Sequence, residues 1–309
     1  MILRMIALTK IRELTLSAAA TAGRPLHVSA ASGLACLGSF IYVVADDELH
    51  LGAFRAVDCE PGHLIRLFDG ALPDSKPKRK KQKPDLEALM LLPAFAEFPH
   101  GALLGLGSGS RRNRRLGALL GLDAHGAVHG SPHVVDLSPV LAPLDDAFPA
   151  LNIEGAVVSG GELRLFQRGN KQDAENAVIR FQLSDLLATF GSGRAGPIKP
   201  SAIDRYDLGR VDGVPFGFTD AAALSNGEMV FTAVAEDTDN AYDDGCCAGA
   251  AIGILDRDGH LQGVRRLALP HKVEGVDARL DGEVIKLLLV TDADDANIPA
   301  GLFSATIAR

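Results

Sequence analysis

Short apolar runs, parted by glycine-containing turns and polar loops, fill the chain from end to end. Five of them follow one grammar: "GSFIYVVADD", "GALLGLGSGS", "GELRLFQRGN", "GEMVFTAVAED" and "GEVIKLLLVTDADD". Each opens on a Gly-containing turn, continues as an apolar run of strand length and ends in a polar loop. Just upstream of each lies a second short run, in order "SGLACL", "LEALMLL", "IEGAVV", "TDAAAL" and "VEGVDARL". Four of these pairs are joined by tight turns, "GS", "SGGE", "SNGE" and "LDGE", which read as hairpins. The second pair departs from them, with "PAFAEFPHG" in place of a tight turn.

Third strands follow as "ELHLGAF", "RLGALLGLD", "ENAVIRFQL", "AGAAIGILD" and "GLFSATIA", and fourth strands as "HLIRLFDG", "HVVDLS", "IDRYDLG" and "GVRRLALP". The fifth unit reaches Arg309 before a fourth strand, while "LTKIRELTL" near the start is a strand without a unit. Pairing these two would close a ring and cover two open sheet edges. The expected fold is therefore all-β, a five-bladed β-propeller with four antiparallel strands per blade. It occupies residues 1–309 as one domain, with blades over about 32–73, 85–150, 152–212, 217–270 and 272–309 completed by 9–17.

Aligning the first strands places Ser32, Glu87, Glu154, Asp220 and Glu274 at one equivalent position. In a propeller the first strand of each blade lines the central channel, so these five residues are expected to converge on the axis. Four neighbouring carboxylates raise one another's pKa and need compensation. A hard cation supplies it through oxygen ligands, Ca2+ ahead of Mg2+ or Mn2+, and the absence of His and Cys disfavours zinc and copper. The same ring also reads as a water-filled channel whose acids share protons or pair with a nearby Lys or Arg.

The series Ser32, Glu87, Glu154, Asp220, Glu274 resembles the central calcium ring of the calcium-activated nucleotidases (apyrases), five-bladed propellers with a similar alternation of Ser and acidic residues. Asp220 stands where that resemblance implies Ser. The "EG" strand openings are similar to those of bacterial phytase-like propellers, and the chain as a whole looks like a member of a bacterial propeller group. The resemblance implies an axial Ca2+; the nucleotidases' longer substrate-handling motifs are not found.

The loops after the second strands are long and polar and open on the same face as the ring: "ADDE", "GSGSRRNRR", "QRGNKQDAEN", "AEDTDNAYDDGCC" and "TDADDANIP". Loops on a rigid scaffold are where function concentrates, so this face is the candidate site. Arg111 and Arg168 are expected to clamp a phosphate, helped by Arg112, Lys171 and Lys272. Asp46 or Asp292 is the expected base, and Asp47, Ser108, Asn170 and Asp237 complete the ligand-binding set. Together with the cation these describe a hydrolase of a small anionic substrate, a phosphoester foremost. The alternative is a non-enzymatic binding propeller with a structural axial Ca2+.

Charge and composition narrow the partners further. A net charge of -8 over 309 residues, with no Trp and three Tyr, argues against a nucleic-acid binder. No apolar stretch has the length of a membrane span, and charges at Arg4 and Lys10 interrupt any signal-peptide core, which points to a cytoplasmic protein. Four cysteines without a CxxC pair suggest neither zinc nor a disulfide framework. The basic run "DSKPKRKKQKPD" reads as a flexible surface loop, and His125, His129 and His133 as residues that no helix brings together.

Overall fold

The computed structural model describes residues 5–170, 174–192, 196–237 and 245–309. Its strands form five four-stranded antiparallel sheets, each built from consecutive strands, plus a two-stranded ribbon between the third and fourth. The first blade comprises Ala31–Leu37, Phe40–Ala45, His50–Arg55 and His63–Arg66. The second comprises Leu86–Leu92, Ala102–Gly107, Leu116–Leu122 and Val128–Asp136. Ile153–Ser159, Glu162–Gln167, Asn176–Gln182 and Ala202–Tyr206 make the third. Gly217–Ala223, Met229–Asp237, Cys246–Leu255 and Leu261–Arg266 make the fourth.

The fifth blade takes Val273–Asp281, Val284–Thr291 and Gly301–Ala308 from the end of the chain and its outer strand, Thr9–Glu13, from the beginning. Thr9 pairs with Ser304 and Glu13 with Gly301, so the ring closes as the unpaired terminal strand anticipates. Pairing the two ends leaves neither sheet edge open at the seam.

The core is divided rather than central. Five apolar clusters each join two neighbouring blades, for example Leu104, Leu119, Leu165 and Ile179 between the second and third, and Leu34, Val43, Val290 and Leu302 across the seam. This follows from strands that carry apolar residues on both faces, one face for each neighbour. Burying a side chain such as Phe231 or Leu104 contributes about 1.5–3 kcal/mol, so most of the stabilisation lies between blades.

Among the described residues three short α-helices punctuate the sheets: α1 (Lys76–Gln82), α2 (Ser138–Leu141) and α3 (Leu183–Ser192). The basic run read as a loop is thus partly helical: Pro77 sits in the first turn, where a missing N–H costs nothing, and Pro84 follows the end. His129 and His133 lie on the outer strand of blade two, where they pair with Gly121 and Leu119. No helix among the described residues is long and apolar enough to cross a membrane.

Candidate functional site

The inner strand of every blade carries one residue more than its neighbour can match. The ladder steps from Ala31 to Gly33, Leu86 to Ala88, Ile153 to Gly155, Phe218 to Asp220 and Val273 to Gly275. The bulged residues are therefore Ser32, Glu87, Glu154, Thr219 and Glu274. A bulge bends the strand and re-aims the extra side chain. Ser32, Glu87, Glu154 and Glu274 line an axial cavity of about 250 Å³.

Blade four corrects the sequence alignment: Thr219 holds the ring position, and Asp220 is the residue after it. An apolar and polar pattern does not count a bulge, and the acidic Asp220 matched its counterparts by chemistry. Two hydroxyls confirm the register. Ser32 Oγ donates to the Leu86 carbonyl at 2.5 Å and Thr219 Oγ1 to the Val273 carbonyl at 2.8 Å, each the residue before the next blade's ring glutamate. Asp220 occupies the level at which the other blades have Gly33, Ala88, Gly155 and Gly275, and its carboxylate accepts the Val276 N–H at 2.8 Å.

The glycine of the "EG" openings has a steric cause. A Cβ on Gly155 would lie 3.0 Å from the Ala221 backbone nitrogen, and one on Gly33 2.8 Å from that of Leu89. At Gly33 and Gly155 the neighbouring inner strand approaches too closely for a side chain, whereas blades two and four carry Ala88 and Asp220 at this level.

A second tier surrounds the ring. Two residues before each ring position stand Ala30, Asp85, Asn152, Gly217 and Lys272, all lining the cavity. Opposite them, just beyond the ladder on the second strands, Asp46, Ser108, Arg168 and Asp292 donate their backbone N–H groups to Ala30, Asp85, Asn152 and Lys272, and Val234 pairs with Gly217. The predicted Asp46, Ser108, Arg168 and Asp292 thus occupy equivalent places after the second strands, and the predicted Lys272 stands opposite Asp292 in the tier two residues before the ring. Asp47 and Asn170 also line the cavity, whereas Ser108 is buried behind it and donates to Asp85 at 2.5 Å.

Arg168 pairs with Glu154 of its own blade at 3.4 Å and reaches across to Glu236 of blade four at 2.6 Å. Gly217 makes this possible, because a Cβ there would meet the Arg168 side chain at 2.8 Å. Lys272 lies 3.3 Å from Glu236, 3.7 Å from Glu274 and 2.5 Å from Asp294. Lys83 pairs with Asp46 and, at 2.9 Å, with Asp85, which also receives Arg114 at 2.6 Å. Asn152 donates to Glu154 at 2.5 Å. Sequence reasoning missed Lys83, Asp85, Arg114, Asn152 and Glu236. Spacing from the ring marks Asp85 and Asn152, but nothing local marks Lys83, Arg114 or Glu236.

Among the described residues negative charge prevails: eleven Asp and Glu residues line the cavity against eight Lys and Arg. Burial, reinforced by Glu154 and Asp85, lifts the Glu87 pKa well above the carboxylate range. Burial does the same for Glu274, with Lys272 and Arg168 offsetting only part of it. Asp292 rises to about 8 through burial, against the pull of Lys272. Glu236 goes the other way: burial opposes its charge, but Arg168 and Lys272 outweigh burial and hold it below its ordinary value. Glu274 Oε1 is buried without a hydrogen-bond partner.

Among the described residues, two groups of three acidic or imidazole side chains bring ligand atoms within 4.8 Å of one another. One is Asp46, Asp85 and Glu87 inside the cavity. The other is Asp256, Asp258 and His260, an exposed turn in which Asp256 accepts the backbone N–H groups of the other two. Arg111, Arg112 and Asp237 are exposed and do not line the cavity, and Lys171 lies outside the described residues.

Residues 27–307 match the model of a family described as a family of unknown function, DUF6929. The chain belongs to this family. No curated protein matches it. Among solved structures it is similar to the glutaminyl cyclase of Myxococcus xanthus, with a TM-score of 0.50 and 11% identity over 99% of this chain and 100% of that one. It is also similar to an alpha-L-arabinanase of Penicillium chrysogenum complexed with arabinobiose, with a TM-score of 0.44 and 7% identity over 97% and 98%. An alpha-L-arabinofuranosidase of Fusarium graminearum gives a TM-score of 0.41 and 11% identity over 97% and 98%. At such identities only the fold of the glutaminyl cyclase bears on this member of DUF6929, and the function must be argued from its own cavity.

Proposed function

We propose that this DUF6929 protein is a metal-dependent hydrolase of a small anionic substrate, a phosphoester foremost, with the ion on the propeller axis among Glu87, Glu154, Glu274 and Ser32. The observation that carries this reading is the surplus of carboxyl groups over cations among the described residues that line the axial cavity. Burial, with neighbouring carboxylates, pushes Glu87 and Glu274 toward holding protons, and Glu274 Oε1 has no hydrogen-bond partner. A divalent ion with oxygen preference, Ca2+ before Mg2+ or Mn2+, satisfies such a donor set and displaces those protons.

Glu87 belongs both to the ring and to the close trio with Asp46 and Asp85, which makes it the pivotal ligand. When bound, the ion would supply Lewis acidity toward the substrate. Asp46 or Asp292 would take the proton from the attacking water as the bond from phosphorus to the leaving oxygen breaks. Arg168, whose guanidinium is engaged by Glu154 and Glu236, positions those carboxylates.

A second reading has its own observation. Arg168, Lys272 and Lys83 already stand among the carboxylates as counterions, as a binding propeller with a structural ion or no ion requires. Thermal melting of chelator-treated protein against Ca2+, Mg2+ and Mn2+ decides the first step. An ion that binds only the folded state at a hundred times its Kd stabilises by about 2.7 kcal/mol. We expect a selective rise, reduced in Glu154→Gln and Glu274→Gln and most of all in Glu87→Gln. No rise with any ion overturns the metal; a rise without turnover of any phosphoester leaves the binding propeller.

A further inference from the structure

Among the cations that meet the acids of the cavity, Lys83 comes from outside the repeat. Arg168 and Lys272 belong to the tiers around the ring and face Glu154 and Glu274 of their own blades. The same places in blades one and two hold no cation: Ala30 and Asp85 stand two residues before the ring, with Asp46 and Ser108 opposite them. There the positive charge is supplied by Lys83, the residue that caps α1 in the connection between the two blades.

The fold fixes this residue from several sides. Its N–H donates to the Arg79 carbonyl at 2.8 Å, closing the last turn of α1, and its own carbonyl accepts Asn113 Nδ2 at 3.3 Å. Arg79, one turn earlier, holds the helix to blade one by donating to the Asp47 carbonyl at 2.8 Å and to Glu48 at 3.0 Å. Pro84 follows, and Asp85 takes a φ of 59°, a conformation that a non-glycine residue keeps only where its surroundings hold it. Here they do: Ser108 Oγ and Arg114 Nη1 donate to Asp85 Oδ2 at 2.5 Å and 2.6 Å, which leaves Oδ1 for Lys83 at 2.9 Å. The ammonium also pairs with Asp46 and is attracted by Glu87. It is therefore buried among the same three carboxyl groups whose oxygens lie within 4.8 Å of one another.

We propose that Lys83 is the cavity's built-in second cation: its ammonium fills the place that Asp46, Asp85 and Glu87 would offer a divalent ion, and so confines a metal to the axis. The axial half of this statement rests on the reading of the ring as a metal site; the exclusion of metal from the trio does not. An ammonium suits the role. Its charge offsets the repulsion among three neighbouring carboxyl groups, its three N–H donors meet their oxygens, and its tether keeps it in place whatever the supply of metal. Hydrolytic centres with two metal ions hold them about 3.5–4 Å apart. This chain instead places Glu87 between one axial ion and one fixed ammonium, which makes Lys83 the residue that decides how many ions the cavity takes.

The test counts ions on the whole chain, by equilibrium dialysis against Mn2+ with the free ion read from its electron-spin resonance. Lys83→Ala should bind one more Mn2+ per chain than the wild type, and Lys83→Ala/Asp46→Asn should lose that extra ion. Asp46→Asn alone should bind as many as the wild type, a result that stands even if Lys83→Ala does not fold. An equal count in wild type and folded Lys83→Ala, an extra ion that persists in the double variant, or a lower count in Asp46→Asn than in the wild type overturns the proposal. The axial reading is judged apart from it by the wild-type count. No ion in the wild type and one in Lys83→Ala keeps the role of Lys83 and removes the axial ion; one in each keeps the axial ion and removes the role of Lys83.

Discussion

At the scale of single residues, Asp220 shows how one carboxyl can be mistaken for a ligand and still matter to the fold. Burial lifts its pKa well above the ordinary value, against the pull of the Val276 and Ala221 N–H groups it accepts. It fills a level at which the other blades carry only glycine or alanine and ties blade four to blade five. Asp220→Asn keeps the acceptor and removes the charge, so chemical denaturation should show stability equal to or above that of the wild type. Asp220→Ala leaves the buried Val276 N–H unpaired and should cost about 1–3 kcal/mol. Cation-dependent melting should survive in Asp220→Asn and be reduced in Glu274→Gln. Equal loss in both would return Asp220 to the ring and refute the register argument.

At the scale of elements, the repeated unit is the inner strand with its bulge, and most of it is legible in the sequence. Turn glycines and alternating apolar runs specify the hairpins, and the "EG" openings mark where a strand turns a carboxyl inward and thins itself for its neighbour. The bulge is not legible, because one extra residue leaves the apolar pattern intact; the shift in each strand ladder and the hydroxyl bonds of Ser32 and Thr219 to Leu86 and Val273 reveal the true counterparts. The helix α1 was equally hidden: it has no apolar stripe, and ion pairs with acids of blades one and two fix its place, which is tertiary information. The two hydroxyls also make separable predictions. Thr219→Val removes a donor between blades four and five and should cost about 0.5–1.5 kcal/mol in denaturation without altering cation affinity. Ser32→Ala should cost a similar amount and weaken the ion as well, since Ser32 lines the cavity. Loss of cation binding in Thr219→Val would contradict the distinction.

At the scale of the whole molecule, the propeller stores its carboxyl groups where ionisation is expensive, and this should be visible in how stability follows pH. Glu87, Glu154, Glu274, Asp220 and Asp292 all have raised pKa values in the folded state, chiefly through burial, with Asp292 at about 8. Between the ordinary carboxylate value and the folded one, the native state binds more protons than the unfolded chain, so stability is greatest at the acid end and falls as pH rises. For Asp292 that window runs from about pH 4 to about pH 8, with a slope approaching 1.4 kcal/mol per pH unit for each such group. The lowered groups, Glu48 and Glu236 among them, act the other way, but their contribution is lost only as pH falls below the ordinary carboxylate value. Chelated protein should therefore denature more easily at pH 8 than at pH 5.5, and Asp292→Asn should flatten the profile in the upper part of that range. A divalent ion replaces the protons that the axial carboxyls would otherwise hold, so saturating Ca2+ should restore most of the stability lost at pH 8 and little at pH 5.5. Stability that climbs from pH 5.5 to 8 without any ion would mean that Arg168, Lys272 and Lys83 neutralise the cavity by themselves, and the argument for an axial cation would fall with it.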